Sequence, residues 1–407
     1  MNTKRAPKVR FKGFTDAWEL RKLGDMGETF TGLSGKTKED FGHGDAEFVT
    51  YMNVFTNPIA ASNGTENVEI DGCQSLVQYG DVLFTTSSET PEEVGMSSIW
   101  LENRANVYLN SFCFGYRLAV NFDPHYIAFM LRSAPIRKKF IFLAQGISRY
   151  NISKNKVMEM TVPMPKLNEQ KIIGVFFTHL DNLITLHQRK LDKMKELKKA
   201  FLNLIFSQKL RFYGFTESWE LRKLGEVAPL RGGYAFQSNQ YANEGIPIVR
   251  ISNILSDGSV GGEFVFHNEL KDDEIFMLEN GDIVLAMSGA TTGKVSILSS
   301  EKSCKYYQNQ RVGLFSKTAT CNYSFVATIV RSEKFLEQLQ DVLVAGAQPN
   351  VSAKDIDAFD FSVPKNVEEQ SQIGNFFRTL DRLITLYQKK IDSSKEMKKI
   401  LLKNMLI

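Results

Sequence analysis

The feature that most constrains this chain is a stretch of 38 residues that occurs twice. Glu169–Phe206 reads EQKIIGVFFTHLDNLITLHQRKLDKMKELKKAFLNLIF, and Glu369–Leu406 reads EQSQIGNFFRTLDRLITLYQKKIDSSKEMKKILLKNML. The two copies are identical at 20 of 38 positions without a gap. A long repeat indicates that one structural unit is used twice, so it decides the architecture before any other pattern.

Each copy has the pattern of a long amphipathic helix. Apolar residues recur every seven positions in two stripes, which is typical of a coiled coil. At about 1.5 Å per residue, each helix would be roughly 55 Å long. The pattern allows pairing between the two copies or with a second molecule. The residues expected to pair the helices are Ile173, Phe177, Leu180, Ile184, His187, Leu191, Ile373, Phe377, Leu380, Ile384, Tyr387 and Ile391.

The stripes also include Leu197 and Leu204 of the first copy and Met397 of the second. His187 falls at a heptad core position, equivalent to Tyr387. We interpret it as a buried polar residue that sets the register, because one polar core residue commonly does so in coiled coils.

A second repeat shows that each helix closes one half of the chain. Phe11–Met26 returns as Phe212–Val227 with 11 of 16 positions identical. We therefore predict two halves of about 200 residues, each running from this opening to a long helix. The predicted boundaries are 1–165 for the first globular domain, 166–211 for its helix, 212–365 for the second domain and 366–407 for the last helix.

The regions between opening and helix differ strongly, and only short echoes survive. They include the two asparagines Asn53 and Asn253, the Gly-Asp pairs at Asp81 and Asp282, and a Val-Pro pair before each helix. Short β-branched and aromatic runs separated by Gly, Asn and Asp predict short strands and tight turns, hence an α+β fold. Shorter helices are expected at His125–Phe142 and Ser324–Leu343.

A frame kept alike while the loops diverge suggests two versions of one recognition domain, because binding residues are usually carried by loops on a rigid scaffold.

Composition narrows the class of protein. The 407 residues are 43% hydrophobic with a net charge of +4, which suits two or three globular domains and is compatible with nucleic acid. Four scattered cysteines without a Cys-x-x-Cys pair argue against zinc and disulfides and favour the cytoplasm. There is no apolar run long enough for a membrane span. The basic run from Lys4 to Lys12 is more typical of a solvated tail than of a phosphate-binding arm.

Motifs that suggest catalysis are incomplete. Asp123-Pro124-His125-Tyr126 is similar to the Asp/Asn-Pro-Pro-Tyr motif of DNA amino-methyltransferases, but it has His at the third position and opens a predicted helix. Gly289–Lys294 is one residue shorter than a phosphate-binding loop, and Val295 replaces its Ser or Thr. The histidines form no metal-binding pair. We therefore favour a non-catalytic protein over a methyltransferase or nuclease with its own active site, and no metal or cofactor is expected.

Polar, Gly-containing loops lie in the diverged part of both halves. Arg, Asn and Gln bind base edges, and Lys and Arg neutralise phosphates. Each loop alone is typical of a solvated surface, but together they favour DNA binding over a coiled-coil adaptor that binds no DNA. The candidate DNA-binding residues are Ser87, Ser88, Arg149, Tyr150, Asn151, Arg231, Tyr234, Ser288, Thr291, Thr292, Lys294, Gln310, Arg311, Gln348 and Asn350.

The layout resembles the specificity subunit of type I restriction–modification enzymes. The resemblance is carried by the two WELRKLG openings, the two Gly-Asp-hydrophobic strands, the two Val-Pro…Glu-Gln junctions and the two LDxLITLxQxK helices. It covers essentially the whole chain, and the order and duplication of these motifs carry it more than any one of them.

This resemblance implies two target-recognition domains that read a two-part, asymmetric site in double-stranded DNA. The two helices would pair as an antiparallel coiled coil with pseudo-twofold symmetry and fix the gap between the half-sites. Two modification subunits would dock on the helices and bind S-adenosylmethionine, and restriction subunits would join to cut the DNA. The chain itself would bind no cofactor.

Overall fold

The structure, a computed structural model, describes residues 6–300, 304–345 and 350–406. The described chain divides into two compact units. Unit 1 contains the residues through Arg189 together with those from Gln388 onward, and unit 2 is Lys190–Tyr387. Each unit therefore combines one α+β globular part with the first section of its own long helix and the last section of the other long helix.

The elements of unit 1 are short strands and helices that precede one long helix. The strands are β1 Glu19–Lys22, β2 Gly27–Thr31, β3 Phe41–Val49, β4 Thr65–Val68, β5 Val82–Thr85, β6 Ser87–Ser88, β7 Ser97–Ile99, β8 Val107–Leu109, β9 Cys113–Leu118, β10 Tyr150–Asn151 and β11 Thr161–Met164. The helices are α1 Tyr51–Thr56, α2 Pro124–Leu131, α3 Ala134–Leu143, α4 Lys154–Met158 and α5 Leu167–Phe206, whose last section belongs to unit 2.

Unit 2 repeats this order. Its strands are β12 Glu220–Lys223, β13 Leu230–Arg231, β14 Ile246–Val249, β15 Val265–His267, β16 Met277–Leu278, β17 Ile283–Ala286, β18 Val295–Ile297, β19 Tyr306–Gln308, β20 Val312–Phe315 and β21 Asp360–Val363. Its helices are α6 Leu224–Val227, α7 Tyr323–Ile329, α8 Glu333–Ala345, α9 Ala353–Asp357 and α10 Val367–Met405, whose last section belongs to unit 1.

The sheets of the two units correspond. The four-stranded sheet β2-β9-β5-β7 of unit 1 matches β13-β20-β17-β18 of unit 2. A second sheet contains a parallel pair in each unit, β3 with β8 and β14 with β19. The opening motif and the Val-Pro junction are strand partners, since β1 pairs with β11 and β12 with β21. The echoes in the sequence are thus the framework of the fold.

The long helices contact each other in antiparallel fashion, as seen inside each unit. In unit 1, Ile173 and Phe177 of α5 share a core with Met405 of α10, and Asp181 pairs with Lys398 at 2.5 Å. In unit 2, Lys198 pairs with Asp381 at 2.5 Å, and the rings of Phe201 and Phe376 lie 5.2 Å apart. The prediction of an α+β protein with paired long helices is confirmed.

The inner face of each helix follows spacings of three and four residues. All twelve residues expected to pair the helices are buried or half-buried. The assignment of Leu197, Leu204 and Met397 to this face was wrong, because these side chains are largely exposed. The heptad instead continues through Lys198 and Ile205. The sequence pattern does not reveal this continuation, because position 198 is a lysine and not an apolar residue. The half-buried side chain of Lys198 can cover apolar surface with its stem while its ammonium group pairs with Asp381.

Two predicted helices are each broken in two. His125–Phe142 becomes α2 and α3, with Pro135 in the first turn of the second helix. Proline cannot continue a helix but suits its first turn, so the chain restarts there. Ser324–Leu343 becomes α7 and α8, where Ser332 Oγ donates to Ile329 O and accepts from Phe335 N.

The opening of each half is fixed to its long helix by a buried ion pair. Glu169 accepts two hydrogen bonds from Arg10, at 2.6 and 2.8 Å, and one from the Trp18 ring at 3.1 Å. Glu369 accepts the same bonds from Arg211 and Trp219. The hydrogen bonding of each arginine to the carboxylate of its glutamate raises the pKa of that arginine.

The interpretation of Arg10 as part of a solvated tail was wrong, because this ion pair holds it against α5. Lys4 and Arg5 of the same run lie outside the described residues.

The next residues of the long helix fasten the shorter helix α2 or α7. Gln170 Oε1 accepts from Asp123 N at 3.0 Å, and Gln370 Oε1 accepts from Asn322 N at 2.7 Å. A glycine four residues later, Gly174 or Gly374, leaves room for the start of that shorter helix, because an added Cβ would lie within 2.6 Å of it. The Asp123 motif is thus a helix start, since Asp123 accepts a hydrogen bond from Tyr126 N.

Candidate nucleic-acid interface

In unit 1, three segments of the diverged region meet beyond the end of strand β5. The strand β6 pairs with β10, with Ser87 opposite Asn151 and Ser88 opposite Tyr150. Thr86 connects the third segment, because its N–H donates to Phe112 O at 2.9 Å. We call these segments, Thr86–Ser88, Asn110–Cys113 and Gln145–Asn151, the loop cluster of unit 1.

The five candidates of unit 1 all lie in this cluster, but they differ in exposure. Ser87 and Ser88 are buried, so they hold the segments together rather than face solvent. Tyr150 is half-buried, whereas Arg149 and Asn151 are exposed. The Arg149 guanidinium lies 5.7 Å from the centre of the Phe112 ring. The surface of the cluster therefore presents a cation, an amide and an aromatic ring.

Unit 2 has an equivalent cluster. Met287 N donates to Arg311 O at 3.0 Å, Val351 N donates to Met287 O at 2.9 Å, and Ser288 pairs with Asn350. We call Met287–Ser288, Asn309–Val312 and Asn350–Val351 the loop cluster of unit 2. Ser288 is buried, and its hydroxyl accepts from Arg311 Nη1 at 3.4 Å. The exposed cation of this cluster is Arg311.

Other candidates of unit 2 lie outside the cluster or serve the fold. Thr291 and Thr292, in the turn after Ser288, donate to Ile251 O and Gly289 O. Lys294 Nζ binds Ser256 Oγ at 2.8 Å. The Arg231 guanidinium donates to the carbonyls of Ile275 and Met277, so it is committed to its own fold.

Gln310 lies in the cluster and is exposed, and Tyr234 adjoins it, because Gln310 N donates to Tyr234 O at 2.8 Å and Tyr234 is exposed as well. Gln348 lies outside the described residues.

Sequence reasoning missed Ser111 and Phe112, both exposed in the cluster of unit 1. An alignment of the two halves could have found them, since Asn110-Ser111-Phe112 aligns with Asn309-Gln310-Arg311 at an offset of 199 positions.

Sequence reasoning also missed why Asn53 and Asn253 recur. Each is buried, and its amide donates to two carbonyls of the following loop, at 2.9 to 3.0 Å.

The Gly-Asp pairs have an equally structural role before strands β5 and β17. Asp81 accepts from Gln78 N at 2.7 Å and pairs with Arg117 at 2.6 Å. Asp282 accepts from Glu279 N at 2.8 Å and pairs with Lys317 at 3.2 Å. These buried carboxylates shape the turn that aims each strand at its loop cluster.

Nothing in the described chain is arranged as a metal centre, since no three His, Cys, Asp or Glu side chains are grouped to hold an ion. The four cysteines form no disulfide. Burial raises the pKa of the Cys321 thiol to about 12, so this residue is a packing group.

Comparison with known proteins identifies the family. A family model described as the type I restriction modification DNA specificity domain matches the chain twice, at residues 15–196 and 216–394. The chain belongs to this family. As a type I specificity subunit it is a non-catalytic component of a restriction–modification enzyme, which confirms the resemblance seen in its motifs. The family implies a role in recognising DNA targets.

Individual relatives agree with this membership. The MjaVIII specificity subunit of Methanocaldococcus jannaschii is 25% identical over 290 residues, which are 67% of this chain and 67% of that protein. The putative MjaX specificity subunit of the same organism is 21% identical over 94% of this chain and 91% of its own length.

Among solved structures, the specificity subunit from M. genitalium has a TM-score of 0.67 at 15% identity, covering 99% of both chains. This likeness supports the fold.

Within residues 6–300, 304–345 and 350–406 of the present chain, none of the helices combines the length and the apolar character that a membrane span requires.

Proposed function

We propose that this chain directs a type I methyltransferase and restriction complex to its recognition site on DNA. It binds a bipartite, asymmetric site in double-stranded DNA, and each globular part reads one half-site through its loop cluster. The chain contributes binding without chemistry. Two modification subunits, which bind S-adenosylmethionine, methylate the DNA, and restriction subunits cut it.

The observation that carries this proposal is one framework built twice with different loop surfaces. The buried Glu169, Gln170 and Gly174 contacts are repeated by residues 200 positions later. Among the exposed residues of the loop clusters, Asn151 and Asn350 correspond, but Ser111, Phe112 and Arg149 have no identical counterpart in the second half. Two scaffolds of the same shape that present different polar groups suit two different short sequences better than one palindrome.

The positive charge of each cluster supports a nucleic-acid ligand. Arg149 and Arg311 are exposed there, and arginine is the side chain that most often contacts guanine and phosphate. Asn151 and Gln310 add exposed amides that can bind adenine edges. The fifteen candidate residues remain our proposal for the DNA-facing surface and its supports, with Ser111 and Phe112 added.

The long helices suit a spacer that also docks the modification subunits. Helix α5 spans 40 residues and α10 spans 39, about 60 Å each at the usual rise. Their inner faces are occupied by each other within the units, yet apolar side chains remain on their outer faces. These exposed residues are Ile172, Val175, Leu183, Leu186, Leu197, Leu204, Leu386, Met397 and Ile400. Such a row favours contact with a protein partner.

Methylation mapping tests the function. The chain is combined with its modification subunits and S-adenosylmethionine, and methylated adenines are mapped on DNA of random sequence. We expect two short conserved blocks separated by a fixed unread gap. Methylation without a conserved sequence would contradict the proposal, as would methylation by this chain alone.

DNA binding by the purified chain is a separate test. Its affinity should fall steeply as salt rises, because protein cations release counterions from the phosphates. An affinity that does not change with salt would instead indicate an adaptor that does not bind DNA.

A further inference from the structure

Both loop clusters contain the same tight turn, and it carries different side chains. In unit 1 the turn is Asn110-Ser111-Phe112-Cys113, between strands β8 and β9. In unit 2 it is Asn309-Gln310-Arg311-Val312, between β19 and β20. Because the flanking strands are equivalent, the two turns occupy the same place in the two folds.

The hydrogen bonds inside the two turns are the same. The last residue of each turn donates to the first carbonyl, Cys113 N to Asn110 O at 3.0 Å and Val312 N to Asn309 O at 2.9 Å. The asparagine side chain accepts from the third residue, at 2.9 Å from Phe112 N and at 3.3 Å from Arg311 N. Asparagine fits this position because its short side chain mimics a backbone turn.

Both turns are also anchored to the framework in the same way. Asn110 N donates to Val49 O and Asn309 N donates to Val249 O, each at 3.1 Å. On the other side, Thr86 N donates to Phe112 O and Met287 N to Arg311 O, at 2.9 and 3.0 Å. The backbone of the turn is therefore held at both ends, and side chains can change without moving it.

The two middle residues of each turn are the exposed ones. Ser111, Phe112, Gln310 and Arg311 are all exposed, whereas Cys113 and Val312 after them are buried. Phe112 is 54% exposed, so it adds little to the core. A large aromatic ring fixed on a rigid turn beside Arg149 is instead suited to a binding surface, because aromatic rings contribute strongly to interface energetics.

We infer that these two turns are matching specificity positions, one for each half-site. Gln310 and Arg311 would bind purine edges, since arginine forms two hydrogen bonds to guanine and glutamine two to adenine. Phe112 would make an apolar contact with the thymine methyl group. This inference rests on the proposed function and adds the residues and the class of base that each turn selects.

The test exchanges the two turns, one unit at a time. The double variant S111Q/F112R gives unit 1 the tip of unit 2, and Q310S/R311F does the reverse. Each variant is assembled with the modification subunits and its methylated sites are mapped on random DNA. We expect one or two adjacent base positions to change in one half-site only, with thymine preference lost in the first variant and guanine preference lost in the second.

Single variants test each turn residue separately. Phe112→Ser is matched by Tyr79→Ser, because Tyr79 is 53% exposed but lies before strand β5, at the opposite end from the cluster. Phe112→Ser should reduce discrimination at one base pair by up to roughly tenfold to hundredfold, the range in which a single mismatched base pair weakens specific binding, while Tyr79→Ser leaves the recognition sequence unchanged. Arg311→Lys should retain binding but relax guanine preference, because lysine lacks the two-pronged geometry.

A recognition sequence that is the same for wild type, S111Q/F112R and Q310S/R311F would overturn the inference and leave the proposed function standing. A wild-type complex without any defined recognition sequence would overturn both. Changes in the gap or in both half-sites at once would also contradict it, because each turn is assigned to one half-site.

Discussion

At the scale of single residues, the most informative side chains of this specificity subunit are buried polar ones. Glu169 and Glu369 each join a Trp ring and an Arg of the opening segment to a long helix. Such an ion pair loses solvation on burial, so its contribution to stability depends on every hydrogen bond being made. The repetition of all three bonds marks these glutamates as positions where the opening segment is attached.

Neutralising either glutamate should weaken this attachment. Glu169→Gln and Glu369→Gln each leave a half-buried guanidinium without its carboxylate, which should reduce the free energy of unfolding by about 1–3 kcal/mol. Urea unfolding followed by tryptophan fluorescence measures this, because Trp18 and Trp219 touch the two sites. Glu396→Gln is the control, since Glu396 is exposed on α10 and should change stability by less than about 0.5 kcal/mol. Equal effects in all three variants would show that the buried pairs contribute nothing.

A second prediction concerns a glycine of the long helix, whose replacement by alanine should destabilise the protein instead of stabilising it. Replacing a glycine inside a helix by alanine normally stabilises it by about 1 kcal/mol. At Gly174 the new Cβ would lie 2.3 Å from Asp123 Oδ1 and 2.8 Å from Tyr126 N, so Gly174→Ala should instead cost about 1–3 kcal/mol. Gly72→Ala, with open space around the added methyl, is the matched control in a thermal unfolding experiment. Stabilisation by Gly174→Ala would mean that α2 does not pack closely on α5.

At the scale of elements, the paired long helices carry a symmetric set of charges. Lys198 binds Asp381 within unit 2, and Lys398 binds Asp181 within unit 1. On each helix these residues enclose a middle section, 182–197 on α5 and 382–397 on α10. Changes inside the two sections can therefore leave both ion pairs and both loop clusters intact.

A matched deletion inside these sections tests the spacer role. Removing Ile184–Lys190 together with Ile384–Lys390 takes one heptad from each helix and keeps the apolar stripes in step. At the usual helical rise this shortens the pair by about 10 Å, so the unread gap should shrink by about three base pairs. Methylation mapping measures the gap. The control removes only Ile184–Lys190, which makes α5 seven residues shorter than α10 between the two ion pairs, so that both pairs cannot form at once and assembly should be abolished. An unchanged gap in the matched deletion would exclude the spacer role.

Most of the element pattern could be predicted from the sequence because it occurs twice. The two long helices, their apolar stripes, the α+β class and the family were all readable from repeated motifs. The errors have local causes: a lysine stem replaced an apolar residue at position 198, and Pro135 and Ser332 restart helices that appear continuous in hydrophobic pattern.

The loop clusters were harder to predict, because they are assembled by long-range strand pairing. Ser87 and Asn151 are neighbours only through β6 and β10, so neither their proximity nor the burial of Ser87 is encoded locally. Phe112 was missed because an exposed aromatic residue cannot be told from a buried one by type alone. The alignment of the two turns contained its position, although not its exposure.

At the scale of the whole molecule, the two halves of the sequence are closed in the same way. After α5 the chain continues through Leu210, whose N–H donates to Leu204 O at 3.1 Å. In unit 1, Val9 N donates to Asn404 O at 3.1 Å, although these residues are not linked in sequence. The rings that follow also match, with Phe11 5.6 Å from Phe176 and Phe212 5.9 Å from Phe376.

This correspondence predicts that the chain tolerates rearrangement of its sequence order. A permuted chain would run from Lys209 to Leu406, continue through a three-residue linker copied from Ser207–Lys209, and then run from Val9 to Ser207. We expect it to unfold at the same urea concentration and to direct methylation to the same sequence. A chain opened between Val82 and Leu83, which are buried in strand β5, should fail to fold. A soluble permuted chain that directs methylation elsewhere would contradict this prediction.

The contact between Val9 and Asn404 also has a consequence for genes and genomes. If the framework continues through that contact as it does through Leu210, neither half is intrinsically the first. Two genes that encode the same pair of recognition halves in opposite order would then leave the same methylation mark on their hosts' chromosomes. Relatives with a shared mark should therefore be sought by matching each half separately, in either order.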